Sequence, residues 1–160
     1  MNWRGSTDTK DKIFGALIYI LPLIYVLPYG MSLLTQFPIL GIIYVPLTPI
    51  IQIYYGFPLA GLIIFFVLFL AVVRNTQISH FIRFNTLQAI LLDILLILVG
   101  LVLGFVTQAL GDQNLLVVTL NNTIFLGILT ACFYGIIQSA RGQYAELPIV
   151  SEAVYSQLPY

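Results

Sequence analysis

Asp93 is the residue whose type and position in this sequence most clearly suggest chemistry. It lies in an otherwise apolar run that begins after Gln88. A carboxylate inside a membrane helix is costly, so it serves either a functional site or a hydrogen bond between helices. Counted from the start of its apolar segment, Asp93 is about 9 Å deep, and we expect Tyr19 and Tyr134 at a similar depth. Either hydroxyl group could donate to Asp93, which would make the carboxylate a structural link.

The segment 74–88 precedes this carboxylate and contains several basic and amide side chains. Ile78, Phe81 and Ile82 recur in it at helical spacing, next to basic residues. This pattern predicts an amphipathic lead-in helix that lies on the lipid headgroups before the chain enters the membrane. His80 is the only histidine of the sequence, so a histidine metal site would lack its second member. We expect it at the surface or at the interface.

Other chemistry is absent from the sequence. Cys132 is the only cysteine and lies in an apolar run, which predicts a buried, inert thiol and excludes an intrachain disulfide. No nucleophile is paired with a base, and no paired acids, phosphate-binding loop or metal-ligand cluster occur. We therefore predict no enzyme activity, no cofactor and no metal. A net charge of zero argues against a nucleic-acid partner.

The composition predicts that the outer surface of the protein faces lipid. Of the 160 residues, 60% are hydrophobic and only 8% are charged, whereas a soluble domain carries about a quarter charged residues. A span needs about 20 apolar residues. We predict an all-α polytopic membrane protein with one domain, residues 1–160, short cytoplasmic tails at 1–12 and 139–160, and four transmembrane helices. These run from Ile13 to Tyr29, from Phe57 to Val73, from Leu87 to Leu110 and from Leu115 to Ile137.

The segment from Phe37 to Tyr55 is the ambiguous one. It is apolar enough to span, but Pro38, Pro46 and Pro49 interrupt it. We interpret it as a proline-broken segment that does not cross and is either re-entrant or interfacial. The reason is the distribution of the basic residues, which favours four crossings over five. With four, all six lie on one side, which the positive-inside rule identifies as cytoplasmic together with both termini; with five, they split evenly. They are Arg4, Lys10, Lys12, Arg74, Arg83 and Arg141.

Small residues indicate where helices approach each other closely. Gly100 and Gly104 form a GxxxG pair in the third predicted span, and Gly127 and Ala131 offer a similar face in the fourth. Such pairs allow close contact between membrane helices. We expect packing between spans of the same chain rather than dimerisation.

The sequence closely resembles the twenty-kilodalton subunit family of the chloroplast inner-envelope protein translocon (Tic). The resemblance is carried by residues 13–23, 57–75, 78–93 and 148–155, and so covers nearly the whole chain. Its most specific part consists of three pieces in chain order: Val-Arg-Asn, then Arg-Phe-Asn-x-x-Gln-Ala, then a single Asp. In this sequence the family pattern falls on Arg74, Asn75, Arg83, Phe84, Asn85, Gln88 and Asp93.

This resemblance implies a membrane subunit of a preprotein-import channel, of a cyanobacterial or plastid-encoded type because few residues precede the first span. The implied location is a cyanobacterial plasma membrane or a plastid inner envelope. The implied partners are other translocon or membrane-protein subunits, a precursor polypeptide and the lipid bilayer. Polar residues would then line or support a pathway: Asn85, Gln88, Asp93, Asn121, Asn122 and Thr123. A scaffold or assembly factor for membrane complexes, and a solute or ion transporter that uses Asp93, are the alternatives.

Overall fold

The computed structural model describes residues 7–158, and within that range every regular element is helical. The α-helices are α1 (Thr9–Leu17), α2 (Ile20–Tyr25), α3 (Met31–Gln36), α4 (Thr48–Gly56), α5 (Ala60–Leu68), α6 (His80–Leu110), α7 (Leu115–Ala140) and α8 (Val150–Gln157). Two 3₁₀ segments, Leu27–Gly30 and Pro38–Leu47, and one π-turn, Phe69–Val73, connect them. The predicted all-α polytopic class is confirmed, since three or four of these units are long and apolar enough to cross a membrane.

The first crossing is a bent one, and its prolines explain why. Asp8 begins α1 in a capping box with Asp11, in which each side chain accepts from the backbone of the other. Pro22 has no N–H to donate to the carbonyl four residues earlier, and the helix is interrupted just before α2. Pro28 lies in the 3₁₀ segment that follows. Thr9–Tyr25 and Leu27–Gln36 consequently meet at an angle of 58°.

The segment from Phe37 to Tyr55 is not broken by its prolines, and this part of the prediction was wrong. Pro38–Gly56 forms a 19-residue helical unit, 3₁₀ in its first part and α-helical in α4. Pro38 and Pro49 lie in the first turn of their segments, where no backbone donor is needed. Pro46 lies within the 3₁₀ segment. The unit is roughly 33 Å long, enough to cross by length alone.

The predicted span from Phe57 to Val73 is shorter than expected. The helical unit Ala60–Val73 has only 14 residues and is roughly 21 Å long, against about 30 Å of hydrocarbon. It cannot cross alone. By contrast α6, capped by Ser79 and ended at Gly111 with φ of 88°, and α7, capped by Asn114, have 31 and 26 residues.

Both described termini lie at the same end of the bundle. Thr7 donates its hydroxyl to the carbonyl of Gly142 at 3.3 Å, and Ser79 donates to Asp11 Oδ1 at 2.8 Å. The start of α1, the start of α6 and the end of α7 therefore meet. Arg83 donates to the carbonyl of Val73 at 2.8 Å, which brings the end of the π-turn to this end as well. We call this end the basic end, because Lys10, Lys12, Arg74, Arg83 and Arg141 lie on its elements; Arg4 lies outside the described residues.

Two helical units together make the second crossing. Gln36, just before Pro38–Gly56, lines a cavity with Gln113 at the end opposite the basic end. Tyr55, near the end of the unit, donates to the carbonyl of Ile24 in α2 at 2.8 Å. Gly61 then lies beside the middle of α6, and Ala60–Val73 continues to the basic end. The described helices thus form four apolar units that are long enough to cross a membrane, Thr9–Gln36, Pro38–Val73, α6 and α7, and we call them the first to fourth crossings.

Glycines in the bundle allow aromatic rings to contact the helix backbone. A Cβ atom on Gly135 in α7 would lie 2.6 Å from the ring of Tyr19, and one on Gly30 would overlap the ring of Phe125. Tyr19 and Phe125 are fully buried members of the core. The sequence did not single out these glycines, because their role depends on which helix faces them.

We expect Gly135→Ala to destabilise the protein. The ring of Tyr19 cannot move aside easily, since its hydroxyl group is hydrogen-bonded on both sides. Overpacking of this kind costs about 1–3 kcal/mol. Gly127→Ala is the matched control on the same helix, because a Cβ there meets nothing within 4 Å. Thermal unfolding in detergent should show a lower midpoint for Gly135→Ala alone; equal midpoints would contradict the packing described.

We also expect residues 9 and 76 to face the same aqueous compartment and residue 113 to face the other. Single cysteines at Thr9, Thr76 and Gln113, which are all exposed, can be made in a Cys132→Ser background. A membrane-impermeant thiol reagent applied to sealed vesicles should label the first two together. Labelling of Thr76→Cys together with Gln113→Cys would contradict four crossings.

Candidate functional site

The polar side chains at the start of α6 form a buried network with two other helices and the tail. Tyr19 donates its hydroxyl to Asn85 Oδ1 at 2.7 Å, and Gln88 Nε2 donates to the Tyr19 oxygen at 2.7 Å. Ser139 of α7 donates to the same Asn85 oxygen at 3.1 Å. All four residues are fully buried. We call Tyr19, Asn85, Gln88 and Ser139 the polar lock.

The polar lock also holds the segment that follows α7. Gln88 Nε2 donates a second hydrogen bond to the carbonyl of Ala145 at 2.6 Å. Asn85 Nδ2 donates to the carbonyl of Phe81 one turn earlier in α6 at 2.9 Å. Gly15 allows the approach of α1, because a Cβ there would lie 2.8 Å from the Phe81 ring. Four chain segments are thereby fixed at one level of the bundle.

An aromatic cluster next to the polar lock fixes the remainder of the tail. The ring of Tyr144 contacts those of Phe81 and Phe84, and Phe84 also packs against Tyr155 of α8. The Nδ1 atom of His80 is 2.9 Å from the Tyr144 hydroxyl, and its Nε2 atom is 3.1 Å from the Leu158 carbonyl. His80 is therefore a half-buried residue that links the start of α6 to the tail at the basic end.

The lead-in helix predicted around Ile78, Phe81 and Ile82 is not found. Phe81 and Ile82 belong to the continuous helix α6, Ile78 precedes its N-cap Ser79, and Phe81 is only 2% exposed. The apolar face that suggested contact with lipid is instead covered by the tail and by α1. A single sequence gives no sign of this cover, because the tail lies more than 60 residues away.

Arg74, Asn75 and Arg83 do not join the polar lock. Arg83 bonds to the carbonyl of Val73, while Arg74 and Asn75 are exposed in the loop before α6. The Asn75 side chain accepts from the backbone of Gln77 at 2.9 Å, which shapes the turn. These residues define the loop geometry at the basic end.

Asp93 lies in a different environment, on another face of α6. It lines a cavity of about 400 Å³ between α6, α2 and the second crossing, together with Tyr25, Tyr54, Gly61, Leu62, Phe65, Ile94 and Ile97. Its Oδ1 atom is buried and has no hydrogen-bond partner. Tyr19 bonds to Asn85, and Tyr134 receives only a 3.4 Å contact from Gln138. The expected hydrogen bond from either tyrosine to Asp93 is therefore wrong.

The other polar and small residues singled out from the sequence are spread along the bundle. Asn121 donates to the carbonyl of Val117, and Thr123 to that of Thr119, each within α7. Asn122 has a buried Oδ1 atom without a partner. Gly100 faces the hydroxyl of Tyr29 within the same chain, whereas a Cβ on Gly104 would meet nothing within 4 Å. Cys132 is fully buried, as predicted.

Sequence reasoning missed Ser139, Ala145, Tyr25 and Tyr54 as parts of these sites. The partner of Gln88 is a backbone carbonyl, which carries no residue-specific signal. Tyr25 and Tyr54 carried no sign of this role in the sequence, because their depth depends on how the second crossing is divided between two helices. No group of three or more acidic, histidine or cysteine side chains that could hold a metal occurs within residues 7–158.

Comparison with known proteins identifies relatives over almost the full chain. A family model described as "Chloroplast import apparatus Tic20-like" matches residues 10–154. A Tic20 family protein of Synechocystis sp. is 54% identical over 157 residues, which cover 98% of each chain. Protein TIC 20-v, chloroplastic, of Arabidopsis thaliana is 37% identical over 153 residues, which cover 96% of this chain and 73% of the relative. A Tic20 family protein Ycf60 of Gracilaria tenuistipitata var. liui is 35% identical over 157 residues, with 92% and 75% covered.

We expect Tyr19→Phe to loosen the bundle and release the tail. The substitution keeps the ring but removes the hydroxyl that donates to Asn85 and accepts from Gln88. Buried hydrogen bonds between membrane helices contribute about 0.6–1.7 kcal/mol each, so we expect a loss of about 1–2 kcal/mol. Thermal unfolding in detergent and proteolysis of residues 144–158 should both report it. Tyr134→Phe, which removes an exposed hydroxyl, is the control; an equal effect there would contradict a special role for Tyr19.

Proposed function

The chain belongs to the Tic20-like family of the chloroplast import apparatus, and we propose that it acts as an integral membrane subunit of a protein-translocation complex. The observation that carries this proposal is the family match over residues 10–154, which spans all four crossings. The relatives include chloroplast proteins and a cyanobacterial protein of the same length. A subunit of this kind guides or positions a polypeptide, and it needs no catalytic group.

The packing of the bundle supports a subunit rather than a complete channel. The space between the first crossing, α6 and α7 is filled by buried side chains, among them Tyr19, Leu96 and Phe125. A polypeptide could pass there only if the polar lock opened. A pathway is therefore expected at the outer surface of this bundle, where other subunits can complete it.

The second crossing offers the surface for such subunits. Only 6% of the most apolar part of Pro38–Gly56 is buried within the chain. Ile39, Ile42 and Val45 are 62–72% exposed. An apolar helix that contacts its own bundle this little is available to lipid or to helices of partner proteins.

We further propose that the basic end faces the cytoplasm of a cyanobacterium or the stroma of a plastid. Five described basic residues lie on elements of that end, whereas the loop between α6 and α7 contains only Asp112 as a charged residue. Basic residues in short loops collect on the cytoplasmic side. The membrane would be the cyanobacterial plasma membrane or the plastid inner envelope.

The polar residues of the resemblance then divide into two roles. Asn85 and Gln88 are fully buried and support the bundle, so they do not touch a polypeptide in this conformation. Asp93 lies in a cavity whose lining residues Leu62 and Ile97 are exposed. Thr123 is exposed on α7. These last positions are the ones at which a pathway can be probed.

Photocrosslinking of a trapped translocation intermediate tests this function. A photoreactive residue at Leu62 or Ile97 should crosslink to an arrested precursor polypeptide in membranes that contain the full complex. A photoreactive residue at Leu115 is the control for random contact. Leu115 is 81% exposed and lies at the start of α7, far from the basic end. Adducts with lipid alone at all three sites, or equal precursor adducts at Leu115, would overturn the proposed function.

A further inference from the structure

We propose that the cavity around Asp93 binds a basic side chain carried by a transmembrane helix of a different polypeptide. This inference concerns a partner-binding site and does not depend on whether the complex translocates proteins. It starts from the contrast between Asp93 and Asn85. Asn85 Oδ1 accepts two hydrogen bonds in the interior, whereas Asp93 Oδ1, two turns further along the same helix, is buried and accepts none.

The chemistry of the cavity fits a cation. An unpaired carboxylate in a membrane is stabilised by a positive charge or by hydrogen-bond donors. Tyr25, Tyr54 and Phe65 line the same cavity, and aromatic faces add attraction for ammonium and guanidinium groups. The volume of about 400 Å³ leaves room for one long side chain.

The position of the cavity favours a group that a helix delivers. Asp93 lies about 26 Å along α6 from Leu110, well inside the apolar part of the bundle. Leu62 and Ile97 line the cavity and are exposed, so it opens toward lipid rather than toward the core. A partner helix packed against this face could place a lysine or arginine beside Asp93 without passing a free ion through the bilayer.

A second copy of this chain does not have the required side chain. Its sequence contains no basic residue between Lys12 and Arg74 or between Arg83 and Arg141. Arg83 itself is held at the basic end by the carbonyl of Val73. A second copy therefore cannot supply the complementary charge from within its apolar segments, and the proposed occupant is a helix of another protein.

The glycine at the cavity wall indicates how the space is kept open. A Cβ atom on Gly61 would lie 2.9 Å from the hydroxyl oxygen of Tyr54. A larger side chain at this position must displace the Tyr54 hydroxyl, and Gly61 and Tyr54 both line the cavity, so its shape changes. Gly61→Val therefore changes the shape of the site but keeps the carboxylate of Asp93. This variant tests the contribution of the shape separately from that of the charge.

A model helix provides the test. The purified full-length protein, labelled at Gln113→Cys in a Cys132→Ser background, is placed in phosphatidylcholine vesicles with a labelled polyleucine transmembrane peptide that carries one lysine. Förster transfer measures their association. A charge-assisted hydrogen bond corresponds to about tenfold in affinity. We expect this advantage of lysine over norleucine, and we expect it to be largest when the lysine lies at the depth of Asp93.

Variants and lipids decide the outcome. Asp93→Asn and Gly61→Val should each abolish the preference for lysine, while Asp112→Asn, in an exposed loop, should keep it. The depth scan uses the protein with its native cavity, so it remains decisive if Asp93→Asn fails to fold. The proposal is overturned by equal affinity for the norleucine peptide, by indifference to lysine depth, or by a preference that survives Asp93→Asn. It is also overturned if phosphatidylethanolamine in the vesicles removes the preference, since the occupant would then be a lipid amine.

Discussion

The hydroxyl group of Tyr19 is the point at which the parts of this bundle are joined. It donates to Asn85 and accepts from Gln88, so one oxygen atom links the bent first crossing to α6. Asn85 and Gln88 then extend the link to Ser139 of α7 and to the carbonyl of Ala145 in the tail. Lipid offers no hydrogen-bond partners, so buried polar groups must be satisfied within the protein. This constraint fixes the vertical register of three crossings at once.

The polar lock sets the relative heights of three crossings along the bundle axis, and these heights explain the irregular second crossing. With the first crossing, α6 and α7 held in place, residues 38–73 must return to the basic end along the outside of the bundle. Tyr44 and Tyr55 attach this path to the carbonyls of Leu23 and Ile24 in α2. Both carbonyls follow directly on Pro22, in the short helix α2 that begins at Ile20. The tyrosines thus bond to backbone oxygens where the bent crossing is irregular, and the remaining surface of Pro38–Gly56 is left for lipid or partners.

The sequence predicted the all-α polytopic class and the facing ends of the two long helices, Leu110 and Leu115, because these depend on local properties, whereas α6 begins at His80 and not at the predicted Leu87. Apolar length predicts α6 and α7, and Ser79, Gly111 and Asn114 mark their ends by known capping chemistry. The division of residues 38–73 was not predictable, since Pro38 and Pro49 lie in first turns, where no backbone donor is needed, and a single sequence does not show where those turns begin. The polar lock was not predictable either, because it depends on which faces meet across 66 residues of chain. The aromatic cluster was misread for the same reason: the cover over Phe81 is supplied by the distant tail.

Two faces of α6 have different surroundings, and this difference separates structure from function. On one face, Asn85 and Gln88 are fully buried and donate or accept hydrogen bonds with neighbouring segments, although the Gln88 Oε1 atom has no partner. On the other, Asp93 has a buried oxygen without a partner, beside a cavity that reaches the lipid-facing surface. A protein that needed only stability would place an apolar residue there, because an unpaired carboxylate lowers the stability of the isolated bundle. Its presence is consistent with a chain whose complete set of contacts includes another membrane protein, as expected of a subunit in the import apparatus family.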